Sequence, residues 1–277
     1  MLTPATVQAL LDEHRIRPKK SLGQHFLADP NTARRIVSLA AIEPGDRVAE
    51  IGPGIGSLTL ALLGAGADVL ALELDAKLAR VLAVVLEREG MRADIHVADA
   101  LTVDWSQLLG EGGTWSCVSN LPYNVAVPVV IRLLEAVPAV ERILVMVQRE
   151  VGERLAAGPG EEQYGAVSVK VAYYAEASVV GVVPATVFVP RPKVESVLVR
   201  MRRRSSPPVV VPSESELFRL VRAGFAQRRK MLRRALAPVL GERAAAVLIE
   251  AGVEPTARAE VLGLEQWAAV ARSAAAA

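Results

Sequence analysis

Residues 47–66, RVAEIGPGIGSLTLALLGAG, decide the fold. A short apolar run, RVAEI, stops at Gly52, Gly54 and Gly56, and a stretch of helical length follows, ending in Gly64 and Gly66. Such a run, closed by glycine and opening into a helix, marks a buried strand that turns sharply. The unit repeats downstream. DVLALEL (68–74) leads into DAKLARVLAVVLEREG (75–90), DIHVA (94–98) into DALTVDWSQLL (99–109), WSCVS (115–119) into VAVPVVIRLLEAV (125–137), and ERILVMVQ (141–148) into REVGERLAA (149–157). Alternation at this spacing requires right-handed crossovers, hence an α/β fold: a parallel sheet with helices on both faces.

Upstream, residues 5–16 have amphipathic helical spacing. IRPKKSLGQHFLADP (16–30) is a loop, and NTARRIVSLAA (31–41) is a helix that Asn31 or Thr32 can cap. After GPGEEQYG (158–165) the rhythm changes. AVSVKVAYYA (166–175), SVVGVVP (178–184) and ESVLVRMRRR (195–204) alternate like strands and are expected to complete the sheet with an antiparallel edge. SSPPVVVPSES (205–215) has linker composition, and everything beyond it has helical spacing. The expected organisation is an α/β domain over 1–204, whose first 30 residues form a helix and a covering loop, and a small all-helical domain over 205–277.

The chain has 277 residues, 52% of them hydrophobic, enough for one large core and a smaller one. A single cysteine, Cys117, excludes an internal disulfide. No apolar run reaches membrane-spanning length, and MLTPATVQALLDEHRIRPKK lacks a signal-peptide layout, so a cytoplasmic protein is expected. The net charge of +2 conceals an asymmetry. Residues 191–234 hold 13 Lys and Arg against three acids, a segment of +10, while the remainder carries −8. Such a segment points to an anionic partner, with nucleic acid first among candidates.

The glycine loop narrows the chemistry. A dinucleotide fingerprint, G-x-G-x-x-G counted from Gly52, needs glycine at 57, where Ser57 stands. The order Glu50-x-Gly52-x-Gly54-x-Gly56 instead resembles the S-adenosylmethionine (SAM) loop of Rossmann-like methyltransferases. Glu73, at the end of the second strand, can accept hydrogen bonds from both ribose hydroxyls of a nucleoside. Asp99, followed by Ala100 in VADAL, can accept from an adenine amine.

Asn120-Leu121-Pro122-Tyr123 closes the fourth strand beside the expected methyl donor. The lone pair of an exocyclic adenine amine is delocalised into the ring. Two acceptors aimed at its N–H groups localise that pair: the side-chain oxygen of Asn120 and the carbonyl of Leu121, held by the restricted geometry of Pro122. Tyr123 can stack on a base that has left its helix. The sulfonium supplies the leaving group, so no metal is expected.

Together KKSLGQHFL (19–27), EIGPGIGSLT (50–59), LELD (72–75), ADAL (98–101), NLPYNV (120–125), QREVGERLAAGPGEEQYGAVSV (148–169) and FVPRPKVESVLVRM (188–201) resemble the KsgA/RsmA family of 16S rRNA adenine-N6 dimethyltransferases. The resemblance runs from about residue 17 to FAQRRKMLRRAL (225–236). It implies SAM-dependent dimethylation of two adjacent adenosines in the 3′-terminal hairpin of 16S rRNA, within a 30S subunit or its precursor, with S-adenosylhomocysteine (SAH) as product. It implies that His25 and Leu27 close over the cofactor, although Asn is commoner in the family where His25 stands, and that Phe188 packs on the flipped base. It also gives the basic segment a physical role. Arg191, Lys193, Arg222, Arg228, Arg229, Lys230, Arg233 and Arg234 are expected to grip the RNA backbone. A monomer is expected. The competing readings are an Erm-type 23S rRNA methyltransferase, a DNA adenine methyltransferase, and a non-catalytic RNA-binding assembly or transcription factor.

Overall fold

The structure is a computed structural model and describes residues 1–18 and 23–276. Lys19, Lys20, Ser21 and Leu22, the first part of KKSLGQHFL, lie outside the described residues. The chain forms two compact units, Met1–Gly152 with Ala177–Arg203, and Glu153–Glu176 with Arg204–Ala277. The single boundary expected at 204 thus meets a discontinuous division, in which 153–176 go with the C-terminal helices.

In the first unit, helix α1 (Pro4–Glu13) precedes the short strand β1 (Phe26–Leu27) and helix α2 (Pro30–Leu39). Strands and helices then alternate as β2 (Arg47–Ile51), α3 (Ser57–Gly64), β3 (Asp68–Glu73), α4 (Ala76–Arg88), β4 (Asp94–Val97), α5 (Trp105–Leu109), β5 (Trp115–Asn120), α6 (Ala126–Ala136) and β6 (Val140–Gln148), and α7 (Arg149–Ala156) begins in the first unit and ends in the second. Helix α8 (Ala166–Tyr174) belongs to the second unit, and β7 (Ala175–Val183), β8 (Phe188–Val189) and β9 (Ser196–Arg203) follow.

One seven-stranded sheet has the order β4-β3-β2-β5-β6-β9-β7, and β1 pairs with β8 in a separate two-stranded ladder. From β4 to β6 every neighbouring pair is parallel, and β9 joins β6 antiparallel, as the alternating C-terminal segments led us to expect. Strand order reverses at β2, so a crevice opens where the carboxyl ends of β2 and β5 diverge. Burial on both faces explains the continuous apolar stretches of β3, VLAL, and β6, ILVMV.

Helix α3 is buried from Ser57 to Leu62, and its N-cap Gly56 sits at φ 96°. A side chain there would also place its Cβ 2.6 Å from Leu82 Cδ1 of α4. Helix α2 begins at Asp29, not at Asn31 or Thr32: the Asp29 carboxylate accepts from Thr32 N at 2.8 Å, with Pro30 in the first turn. An Asp placed just before a helix-opening Pro outcompetes caps that would lie inside the first turn. Where α6 runs into the start of β6, Arg203 donates to the carbonyls of Leu133, Leu134, Val137 and Val140, closing the C-terminal end of α6.

The second unit comprises α8, α9 (Glu214–Ala226), α10 (Leu232–Ala235), α11 (Ala237–Leu240), α12 (Ala244–Glu250) and α13 (Leu264–Ala276). Its core centres on fully buried Trp267, against which Gly224 packs so closely that a Cβ would lie 2.4 Å from the indole. Segment 166–175, expected as a strand, is mostly helix α8. Gly165 N–H donates to the Ser168 hydroxyl at 3.0 Å and starts the helix, and Val169, Val171 and Tyr173 are buried along it, Val169 and Tyr173 in the helical core. Tertiary burial outweighs the strand preference of the valines.

Candidate active site

The crevice holds a cavity of about 400 Å³, of a size to take a nucleoside-bearing ligand. Its wall joins the sites expected from the sequence: His25 and Leu27, Glu50, Gly52 and Gly54, Glu73, and the run Asn120, Leu121, Pro122, Tyr123. Gly23, Gln24, Phe26, Ser57, Leu74 and Asp75 also line it.

The glycines owe their place to the wall itself. Gly52 and Gly54 have φ of 69° and 59°, in the region that favours glycine. A Cβ on Gly54 would stand 3.0 Å from the Phe26 ring, and one on Gly52 3.4 Å from Pro122 Cδ. The loop after β2 is therefore pressed between the segment before α2 and the turn after β5. Gly56 serves the α3–α4 contact described above and does not line the cavity.

Glu73 is only 6% exposed. Its Oε2 accepts from Gly54 N at 3.1 Å and its Oε1 from Asp75 N at 3.0 Å. Each oxygen keeps a second lone pair, so the carboxylate is aimed yet still able to accept from a diol. Burial raises its pKa, and these backbone N–H groups oppose the rise. Glu50 differs. It is 1% exposed, its Oε2 has no hydrogen-bond partner, and burial with the nearby charge of Glu73 pushes its pKa up to about 8. The hydroxyl of Thr59 opposes that rise but completes no hydrogen bond.

Asn120 ends β5, and its amide nitrogen donates to the carbonyl of His25 at 3.2 Å. A carbonyl partner can only meet the NH₂ end, so the amide oxygen is left as the acceptor. Leu121 is 1% exposed, and its N–H donates to Met146 O at 3.1 Å, extending the β5–β6 ladder by one step before Pro122 ends it. The Tyr123 ring stacks on His25, with centroids 5.4 Å apart, and its hydroxyl lies 3.0 Å from that of Ser196. Nδ1 of His25 lies 2.7 Å from the carbonyl of Pro190, so Nδ1 carries the proton and donates.

Besides Gly56, three expected residues lie elsewhere. Asp99 and Ala100 follow β4 and are not among the residues lining the cavity. Asp99 Oδ1 accepts from Leu101 N at 2.9 Å, and Ala100 O accepts from the Trp105 indole at 3.0 Å. Phe188, 3% exposed, is the β8 partner of Leu27 and packs in the hydrophobic core of the first unit.

All eight expected RNA contacts are exposed. Arg191 and Lys193 belong to the first unit and the other six to the second. Among the described residues, Arg228 is the one of the eight whose side chain donates within the fold, to the carbonyls of Glu162 at 3.0 Å and Tyr164 at 3.1 Å. Sequence reasoning missed Ser196, Pro190 and Phe26 as supports of the wall. Phe26 stands inside QHFL, but Ser196 and Pro190 carry no local signal, because each acts across more than 70 residues.

The family described as ribosomal RNA adenine dimethylase matches residues 15–276. "Ribosomal RNA small subunit methyltransferase A" of Streptomyces coelicolor is 49% identical over 98% of this chain and 96% of its own. The protein of that name from Thermobifida fusca is 48% identical over 98% and 95%. Among solved structures, the 23S rRNA methyltransferase ErmE superposes with a TM-score of 0.68 at 27% identity, covering 90% of this chain and 98% of its own. A Plasmodium falciparum dimethyladenosine transferase reaches 0.71 at 22% identity over 89% and 96%, a likeness of fold. This chain belongs to the ribosomal RNA adenine dimethylase family.

Proposed function

We propose that the protein transfers methyl groups from SAM to N6 of two adjacent adenosines in the 3′-terminal hairpin of 16S rRNA. It acts as a cytoplasmic monomer on a 30S particle or its precursor, late in assembly, and releases SAH. The observation that carries this reading is the Asn120 side chain, whose NH₂ is tied to His25 O so that its oxygen is held as an acceptor in the cavity.

The wall fits a sulfonium nucleoside. Glu73 has lone pairs for a diol, and the unpartnered oxygen of Glu50 suits a cationic ligand. When bound, SAM supplies an electrophilic methyl on positive sulfur. Asn120 Oδ1 and the Leu121 carbonyl accept the two N–H bonds of the target amine and turn its lone pair out of conjugation. Tyr123, braced by Ser196, offers a flat face to the extruded base, and the fixed turn holds nitrogen in line with the methyl. The proton of the methylated amine passes to water. Asp99 is assigned the adenine amine and Phe188 the outer face of the base, each requiring a local rearrangement from the positions described above. The exposed cations supply affinity for RNA, and hairpin shape supplies the choice of site.

The likeness to ErmE supports a second reading, methylation of 23S rRNA. Parallel incubation with SAM of undermethylated 30S particles and protein-free 23S RNA, followed by nucleoside mass spectrometry, separates the two. N6,N6-dimethyladenosine is expected from 30S alone, and its appearance only in 23S RNA refutes the proposal.

A further inference from the structure

Two carboxylates line the cavity with opposite surroundings. Both oxygens of Glu73 are held by backbone N–H groups, whereas Glu50 is more deeply buried and Oε2 has nothing to bond. An ionised carboxylate in that position is costly unless a cation or donor arrives. We propose that Glu50 is the charge sensor of the cofactor site: it holds a proton while the cavity is empty and releases it when the cationic methyl donor enters.

This inference rests on the SAM reading and adds a consequence to it. SAM carries one more positive charge than SAH, so an ionised Glu50 favours donor over spent product and assists exchange after each transfer. Two methylations per base make that exchange recurrent.

The surroundings agree. Glu73 on β3 faces Glu50 as a second negative group. Cys117 on β5 is buried, with its thiol pushed up to about 12, so it stays neutral. The other titratable side chains lining the cavity are Asp75, His25 and Tyr123, and none of them supplies a fixed cation beside Glu50. Glu50 itself titrates at about 8, which leaves it mostly protonated in the empty site at neutral pH. Binding that releases a proton strengthens as pH rises, by about tenfold per unit below the free-site value, and levels off above it.

The test is titration calorimetry of the full chain with SAM and with SAH, in buffers of different ionisation enthalpy, comparing wild type with Glu50→Gln. The ligands' own α-amino group titrates near pH ~8, so the quantity read is the difference between the two proteins on one ligand. At pH 7, wild type is expected to release close to one proton more than Glu50→Gln on binding SAM. The ratio of SAM to SAH affinity should fall about tenfold in the variant. Equal proton counts for the two proteins overturn the inference. Failure of both to bind SAM at all refutes the cofactor reading itself. Ligand-free melts provide a second measurement. A carboxyl with a raised folded pKa loses its contribution as pH rises through that value, so wild type should lose more stability than Glu50→Gln between pH 6 and 9. Parallel losses would count against the sensor.

Discussion

The cavity wall of the first unit and the basic stretch of the second solve different problems. In the wall, the groups proposed to meet the ligand are positioned by a second group: Asn120 by His25 O, Tyr123 by Ser196, Glu73 by Gly54 and Asp75. In the stretch from Arg222 to Arg234, the cations stand exposed, and among the described residues only the Arg228 side chain is tied to backbone carbonyls. Methyl transfer needs an acceptor placed to within a fraction of an ångström, while binding a phosphate backbone needs only charge at roughly the right pitch. Rigidity is concentrated where chemistry demands it.

The strongest way to break this contrast is at Asn120. Replacing Asn120 with Ala removes an acceptor used only as the amine loses conjugation, so kcat should fall by about 10³-fold or more while SAM affinity changes less than about threefold. Single-turnover transfer to 30S particles with a parallel SAM titration reads both, and a modest drop in rate would show that the amide is not an acceptor. Glu73→Ala should produce the converse pattern. Losing a buried, aimed carboxylate costs SAM affinity about 100-fold, measured by calorimetry, whereas RNA binding by filter retention is unchanged.

The basic stretch should respond gradually and through salt. Arg229→Glu with Arg233→Glu is expected to weaken binding to 30S particles about tenfold near physiological ionic strength and to flatten the plot of log affinity against log salt. Arg228 divides the region. Its guanidinium spans Glu162 O and Tyr164 O, so Arg228→Ala should lower unfolding stability by about 1 kcal/mol, where Arg229→Ala changes it little. Equal stability losses for the two would remove the distinction between brace and phosphate contact.

What the sequence disclosed follows the same line. The alternation of strand and helix from 47 to 157, and the wall formed by Glu50, Gly52, Gly54, Glu73 and Asn120, were visible because each is a local pattern at a strand end. The nature of 166–175 was not, because alternating valines suit a strand locally and only the packing of α8 into the second unit makes them helical. Nor was the role of Gly56, which reads as part of a ligand loop but owes its bare Cα to Leu82. The +10 segment was legible as charge, yet Arg203 caps α6 and Arg228 braces 162–164, and no count of arginines separates those roles from RNA contact.

The smallest expected effect tests whether the wall's supports matter beyond holding the fold. The Tyr123 hydroxyl meets Ser196 at 3.0 Å, and burial raises the phenol's pKa, so it stays protonated through the neutral range. Tyr123→Phe keeps the ring and its stack on His25 but leaves the Ser196 hydroxyl, which is fully buried, without that partner. The cost to stability should be about 1 kcal/mol, read by denaturant unfolding. Because the role proposed for Tyr123 uses only its ring, turnover should drop only a few-fold, through looser placement of the turn after β5. Ser196→Ala removes the same bond from the other side, and the double variant should cost little more than either single change, since the pair shares one interaction. Additive losses would mean that the two hydroxyls act separately and that the turn is held in place by its backbone alone.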